Sequence, residues 1–95
     1  MKFKVTFTDN GIAVADNEAL NTALDLWKKG KNCYVSNECV ILAFRILVKR
    51  GIIPHDQIEF SHEFETYTVD EKGKIKEKYV NNFLDTYVTL LSELI

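Results

Sequence analysis

The chain has 95 residues, of which 46% are apolar and 27% are charged, so it can form one small hydrophobic core. Its net charge of −2 argues against a general nucleic-acid binder, because phosphate contacts need an excess of Lys and Arg. The longest uncharged apolar run, residues 39–44, is too short to cross a bilayer, and the N-terminus lacks the apolar core of a signal peptide. We therefore expect one cytoplasmic domain over residues 1–95, without a membrane partner.

Polar and apolar residues alternate over residues 2–8, which predicts a strand with one buried face. Its inward residues would be Phe3, Val5 and Phe7. Two interpretations of the next segment remain open. Asn10-Gly11 is a hairpin signal that would make Ile12–Val14 a returning strand, whereas the same residues would otherwise form a loop leading into a helix. Local sequence chemistry slightly favours the hairpin.

Apolar residues at helical spacing predict a first helix that begins near Asp16 or Asn17 and ends at Gly30. Glycine suits that end because it readily adopts the left-handed conformation. A short strand, Cys33–Val35, follows the first helix.

Ser36 or Asn37 caps a second predicted helix, which runs to about Arg50. Its apolar residues cover more than half of its circumference, so we expect this helix at the centre of the core. Arg45 and Lys49 fall on the remaining polar strip.

The segment 57–69 is rich in aromatic and β-branched residues and predicts strand, with a phase change near Glu65 that indicates a bulge or a break. Residues 70–73 predict a turn, and residues 74–79 predict a returning edge strand. A last helix is expected from about Asn81 to Leu94. Its apolar face, which would pack inside or meet a partner, consists of Phe83, Tyr87, Val88, Leu90, Leu91 and Leu94.

These elements predict an α/β fold of two or three layers, with α+β as the alternative. A short mixed β-sheet would be packed by about three helices. The expected order is β–(loop or β)–α–β–α–β–β–α.

No complete catalytic, cofactor or metal site is predicted. The phosphate-binding pattern Gly-x-x-x-x-Gly-Lys-Ser/Thr does not occur. Cys33 and Cys39 are interpreted as small buried hydrophobic residues. The nearest metal-binding candidate is weak because neighbouring residues of a strand point to opposite faces. It comprises His55, Asp56, Glu59, His62 and Glu63.

Two lysine clusters are interpreted as solvated surface, because acidic residues or the ends of elements accompany them. They are Lys28, Lys29 and Lys31, and Lys72, Lys74, Lys76 and Lys78.

A series of short motifs runs along nearly the whole chain. It comprises Asp9-Asn10-Gly11, Gly30-Lys31-Asn32, Cys33-Tyr34-Val35, Ser36-Asn37-Glu38, Pro54-His55-Asp56 and Phe83-Leu84-Asp85. In this order the chain resembles the C-terminal half of ABC-type ATPase domains, and in particular the predicted ATPases related to the overcoming-lysogenization-defect proteins of bacteria and phages. The resemblance implies strand–loop–helix rather than a hairpin over residues 9–17.

The resemblance also identifies two departures from the family. The family has an acidic residue that positions the attacking water and a His that contacts the γ-phosphate, and this chain has Asn10 and Asn37 in those places. An amide cannot serve as a general base at neutral pH. Asp9 matches the family, but the nucleotide-cradling half is missing. The resemblance therefore implies a half-domain that does not hydrolyse ATP.

The sequence thus favours a non-catalytic protein-interaction or regulatory module, without a cofactor. Its partner would be a protein such as a full-length ATPase, in phage defence or counter-defence. One alternative is a small enzyme or metal-dependent protein that uses His55, His62 and nearby acids. Another is a self-associating structural domain, a homodimer for example, that uses the C-terminal helix.

Overall fold

A computed structural model describes residues 2–62 and 65–76. In this part of the chain, a mixed four-stranded sheet is packed by two α-helices, which confirms the predicted α/β fold. The elements are β1 (Phe3–Ile12), α1 (Ala19–Lys29), β2 (Cys33–Val35), α2 (Glu38–Lys49), β3 (Ile58–His62) and β4 (Glu65–Thr68), with short 3-10 turns at Asp16–Glu18 and His55–Gln57.

The sheet has the order β2-β1-β3-β4, with β1 parallel to both of its neighbours. Val5 on β1 pairs with Cys33 on one side and with Phe60 on the other. β3 and β4 are antiparallel, and Phe60 pairs there with Tyr67. The phase change predicted near Glu65 is therefore a break between two strands.

Both helices pack on the same face of the sheet. The ring of Phe3 lies 5.3 Å from that of Trp27 on α1 and 5.6 Å from that of Phe44 on α2. The crossovers β1–α1–β2 and β2–α2–β3 run in opposite directions across the sheet, because β2 and β3 lie on opposite sides of β1. Two crossovers that run in opposite directions on the same face of a sheet have opposite hands. One of the two is therefore left-handed, against the strong preference of parallel strand–helix–strand units for the right hand.

The core centres on α2, as its broad apolar surface predicts. Phe44 is fully buried and Leu47 nearly so. The predicted polar strip is half wrong: Lys49 is exposed, but Arg45 is only 3% exposed. Its Nε donates a 2.8 Å hydrogen bond to the carbonyl oxygen of Gly73, because the turn at residues 70–74 packs over this side of the helix.

The turn that covers Arg45 is held by Asp70. The Asp70 carboxylate accepts hydrogen bonds from the backbone N–H groups of Lys72 and Lys74 at 2.9 and 3.0 Å. Beyond it the chain returns toward β4, with a bridge between Val69 and Ile75. The predicted edge strand 74–79 is described only as far as residue 76. The predicted last helix lies outside the described residues.

The hairpin interpretation of Asn10-Gly11 is wrong. β1 continues to Ile12, and a loop over residues 13–15 then leads into the first helical turn. An Asn-Gly hairpin would place a returning strand beside β1, but β2 and β3 already occupy both sides of that strand. The strand–loop–helix alternative is therefore the correct one, with the loop displaced by a few residues.

Candidate functional site

The outer edge of the sheet at β2 carries an open concavity of about 310 Å³. Residues 10–12 of β1, Leu26 and Lys29 of α1, and residues 31–34 form its lining. No described strand pairs with the outer side of β2. Tyr34, in the middle of this strand, is 60% exposed, and the neighbouring Ile12 is 45% exposed.

The end of β1, residues 8–12, passes over β2 and helps to form this concavity. We call this segment the overhang. Phe7 pairs with Val35, the next four residues leave the regular ladder, and Ile12 then pairs with Val35 again. Gly11 permits this close approach, because a Cβ at that position would lie 2.5 Å from the backbone nitrogen of Val35. Residues 10–12 are thus held directly against the edge strand.

Asn37 fixes the chain beyond this overhang. Its Nδ2 donates a 2.8 Å hydrogen bond to the Val14 carbonyl oxygen, and its Oδ1 accepts a 3.2 Å bond from the Val14 N–H. The side chain thereby imitates a strand partner for residue 14. Asn37 stands at the predicted N-cap of α2, but its side chain makes no capping hydrogen bond, because both ends of its amide are engaged by Val14.

The walls of the concavity combine apolar surface with two cations. Cys33 is buried, and this burial raises the pKa of its thiol to about 11, so the thiol is uncharged at neutral pH. Lys29 and Lys31 are exposed, and neither forms an ion pair with a described residue. The concavity therefore offers apolar surface beside two lysines that form no ion pair with a described residue.

The candidate metal ligands do not converge within the described residues. Glu59 lies 4.0 Å from the Lys4 ammonium and belongs to the sheet face opposite that of His62, whose ring packs against Phe7 at 5.1 Å. His55 lies in the 3-10 turn before β3, and its buried Nδ1 has no hydrogen-bond partner among the described residues.

Within residues 2–62 and 65–76, no three His, Cys, Asp or Glu side chains are grouped so as to hold a metal ion. Asp56 is exposed in the same 3-10 turn as His55, and Glu63 lies outside the described residues. The two cysteines are buried, as interpreted from their sequence context, and no disulfide joins them.

The remaining predicted sites divide between the overhang and the undescribed C-terminal segment. Asp9 and Asn10 are exposed on the overhang, and Asn10 lines the concavity. Asn37 is engaged by the backbone of residue 14. The predicted partner surface lies outside the described residues. It consists of Phe83, Tyr87, Val88, Leu90, Leu91 and Leu94.

No protein-family model, curated protein or solved structure shows significant similarity to this chain. Among the described helices, none has the length and apolar character needed to cross a bilayer.

Sequence reasoning missed the concavity, because its residues come from three separate segments of the chain. The sequence predicts solvated surface at Lys29 and Lys31, which agrees with their exposure but does not place them at a common site. One local signal was present: a polar-tipped Tyr34 between two small apolar residues of a strand predicts one outward-facing aromatic side chain.

Proposed function

We propose that this domain is a non-catalytic protein-interaction module that binds an extended segment of a partner protein along the outer edge of β2. The observation that carries the proposal is the exposed Tyr34 on an edge strand next to an open concavity. Extended peptides bind such edges through backbone hydrogen bonds, and adjacent pockets supply specificity.

The length of β2 sets the expected strength of binding. A strand of three residues offers few backbone hydrogen bonds, and each contributes a net stabilisation of about 0.5–1.5 kcal/mol. The concavity must supply the rest through apolar contact. We expect a dissociation constant in the range of about 1 μM to 1 mM, which suits a regulatory contact.

The resemblance to the ATPase family extends this proposal to a partner and a location. A half-domain without the phosphate loop would act by contacting a full-length relative in the cytoplasm, as a regulator in phage defence or counter-defence. The absence of hydrolysis is supported by Asn37, whose amide is already engaged by Val14. Calorimetric titration with Mg-ATP is expected to show no heat of binding; a saturable signal would contradict the non-catalytic proposal.

Phage-displayed random peptides of twelve residues, selected on the immobilised full chain, test the binding surface directly. Isotope-labelled protein titrated with a selected peptide should show its largest amide shifts at residues 10–12 and 31–35. Tyr34→Ala should weaken binding about tenfold, because it removes an exposed aromatic contact. Thr66→Ala, at an exposed position on β4, is the matched control and should leave the affinity unchanged.

Two results would contradict the proposal: a selection that yields no binder, or shifts that centre on β4. Sedimentation at increasing protein concentration tests the self-associating alternative, which predicts a dimer; a monomer at every concentration would count against that alternative.

A further inference from the structure

The two lysines of the concavity indicate the chemistry of its ligand. Lys29 ends α1, Lys31 precedes β2 by two residues, and both line the concavity beside this edge strand. Neither is paired with a described carboxylate. An incoming carboxylate would therefore meet positive charge that no described residue has already neutralised.

The apolar part of the lining suits an apolar side chain of the ligand. Leu26 is half-buried and Cys33 is buried with an uncharged thiol, and Ile12 is exposed at the rim. An apolar ligand side chain placed there would exchange its contact with water for contact with these apolar side chains.

Taking the proposed binding at β2 as its basis, we infer that the partner segment is an acidic peptide strand, with an apolar residue next to one or more carboxylates. The apolar side chain occupies the concavity, and the carboxylate lies between Lys29 and Lys31. A second copy of this chain is the competing occupant of this edge, and the cross-linking experiment below distinguishes it from the acidic peptide.

Three fluorescein-labelled peptides provide the probes: acetyl-Gly-Glu-Val-Glu-Val-Glu-Val-Gly-amide, the same peptide with Gln for Glu, and the same peptide with Lys for Glu. Fluorescence anisotropy with the full chain gives their affinities. We expect the acidic peptide to bind about tenfold more tightly than the Gln peptide at 50 mM salt, because two surface charge pairs contribute up to about that factor. The advantage should shrink at 300 mM salt.

The Lys29→Gln, Lys31→Gln double variant should bind the Glu and Gln peptides equally. Lys28→Gln combined with Lys49→Gln is the matched control, since it removes the same charge from exposed lysines that do not line the concavity. This control should keep the preference for the acidic peptide.

If the Glu and Gln peptides bind with equal affinity, and Tyr34→Ala abolishes the binding of both, the preference for acidic peptides is overturned. The β2 binding site would then still stand. Failure of all three peptides would instead count against the proposed function itself. A benzophenone amino acid at position 34, irradiated with the acidic peptide, should form a peptide adduct. Cross-links to a second copy, or to residues 77–95 of the same chain, would overturn the inference.

Discussion

Replacing Gly73 with Ala tests how closely the turn at residues 70–74 packs against α2. Residue 73 has a φ of +78°, and a Cβ at this position would overlap the backbone carbonyl oxygen of Arg45. Gly30 is the matched control: its φ is +69°, and no described atom lies within 4 Å of the position a Cβ would take. Both substitutions put an L-residue in the left-handed region, but only Gly73→Ala adds a steric overlap.

The expected magnitudes follow from these two terms. An L-residue in the left-handed conformation costs about 1–2 kcal/mol. The substitution also reduces the conformational freedom of the unfolded chain, which stabilises the folded state by about 0.4–1 kcal/mol. Gly30→Ala should therefore lower the free energy of unfolding by about 1 kcal/mol. At residue 73 the turn must also move away from α2 and break the buried Arg45–Gly73 hydrogen bond. A lost bond from a charged donor adds about 1.5–3 kcal/mol, for a total of about 2.5–4 kcal/mol.

Urea denaturation of both variants, followed by far-UV circular dichroism, measures the two free energies of unfolding. The slope with urea concentration should stay the same, so that the difference reports native-state packing. Equal destabilisation by Gly30→Ala and Gly73→Ala would refute the close packing of this turn on Arg45, and with it the explanation of why this charged residue is buried.

Three further predictions concern single side chains. Asn37→Ala should lower the free energy of unfolding by about 1–3 kcal/mol in the same urea assay, because it removes the hydrogen bonds to the part-buried N–H and carbonyl of Val14. Asn32→Ala is the control: it loses one exposed hydrogen bond and should lower this free energy by less than half as much. At pH 8 the Cys33 thiol should react with iodoacetamide about a hundredfold more slowly than an exposed cysteine, because burial raises its pKa to about 11. Peptide mass spectrometry follows the reaction, and a rate equal to that of an exposed cysteine would contradict the burial of Cys33. Burial raises the pKa of Asp70, but hydrogen bonds from the Lys74 and Lys72 N–H groups and the charges of both lysines outweigh it and lower the pKa. Its contribution to stability should therefore be present above the ordinary pKa of 3.8 and be lost as the pH falls below it, and an NMR midpoint at or above 3.8 would be inconsistent with this turn.

Local pattern predicted most of the individual elements. β2 has the predicted bounds Cys33–Val35, and the inward face of β1 and the central position of α2 follow from period-two and helical spacing. These patterns succeed because each reports which face of one element is buried, and burial of apolar side chains is the largest favourable term in folding.

Arrangement in space was harder to predict. Arg45 lies on the polar strip of α2 by sequence, but a turn 28 residues away covers it, and helical spacing contains no information about that contact. Asn10-Gly11 has the local chemistry of a hairpin, but both sides of β1 are taken by strands that come later in the chain. The β2 concavity likewise combines three segments whose proximity only the folded sheet creates.

The central position of the first strand has a consequence for the order of folding. β1 pairs with β2 across about 28 positions and with β3 across 55, so neither neighbour can form until a long stretch of later chain has been synthesised. Closing such loops costs entropy before any contact compensates it, which slows folding relative to a helical bundle of equal size. A nascent chain that stops before residue 58 would leave the β3 side of β1 without a partner strand, and such unpaired strand edges favour aggregation during synthesis.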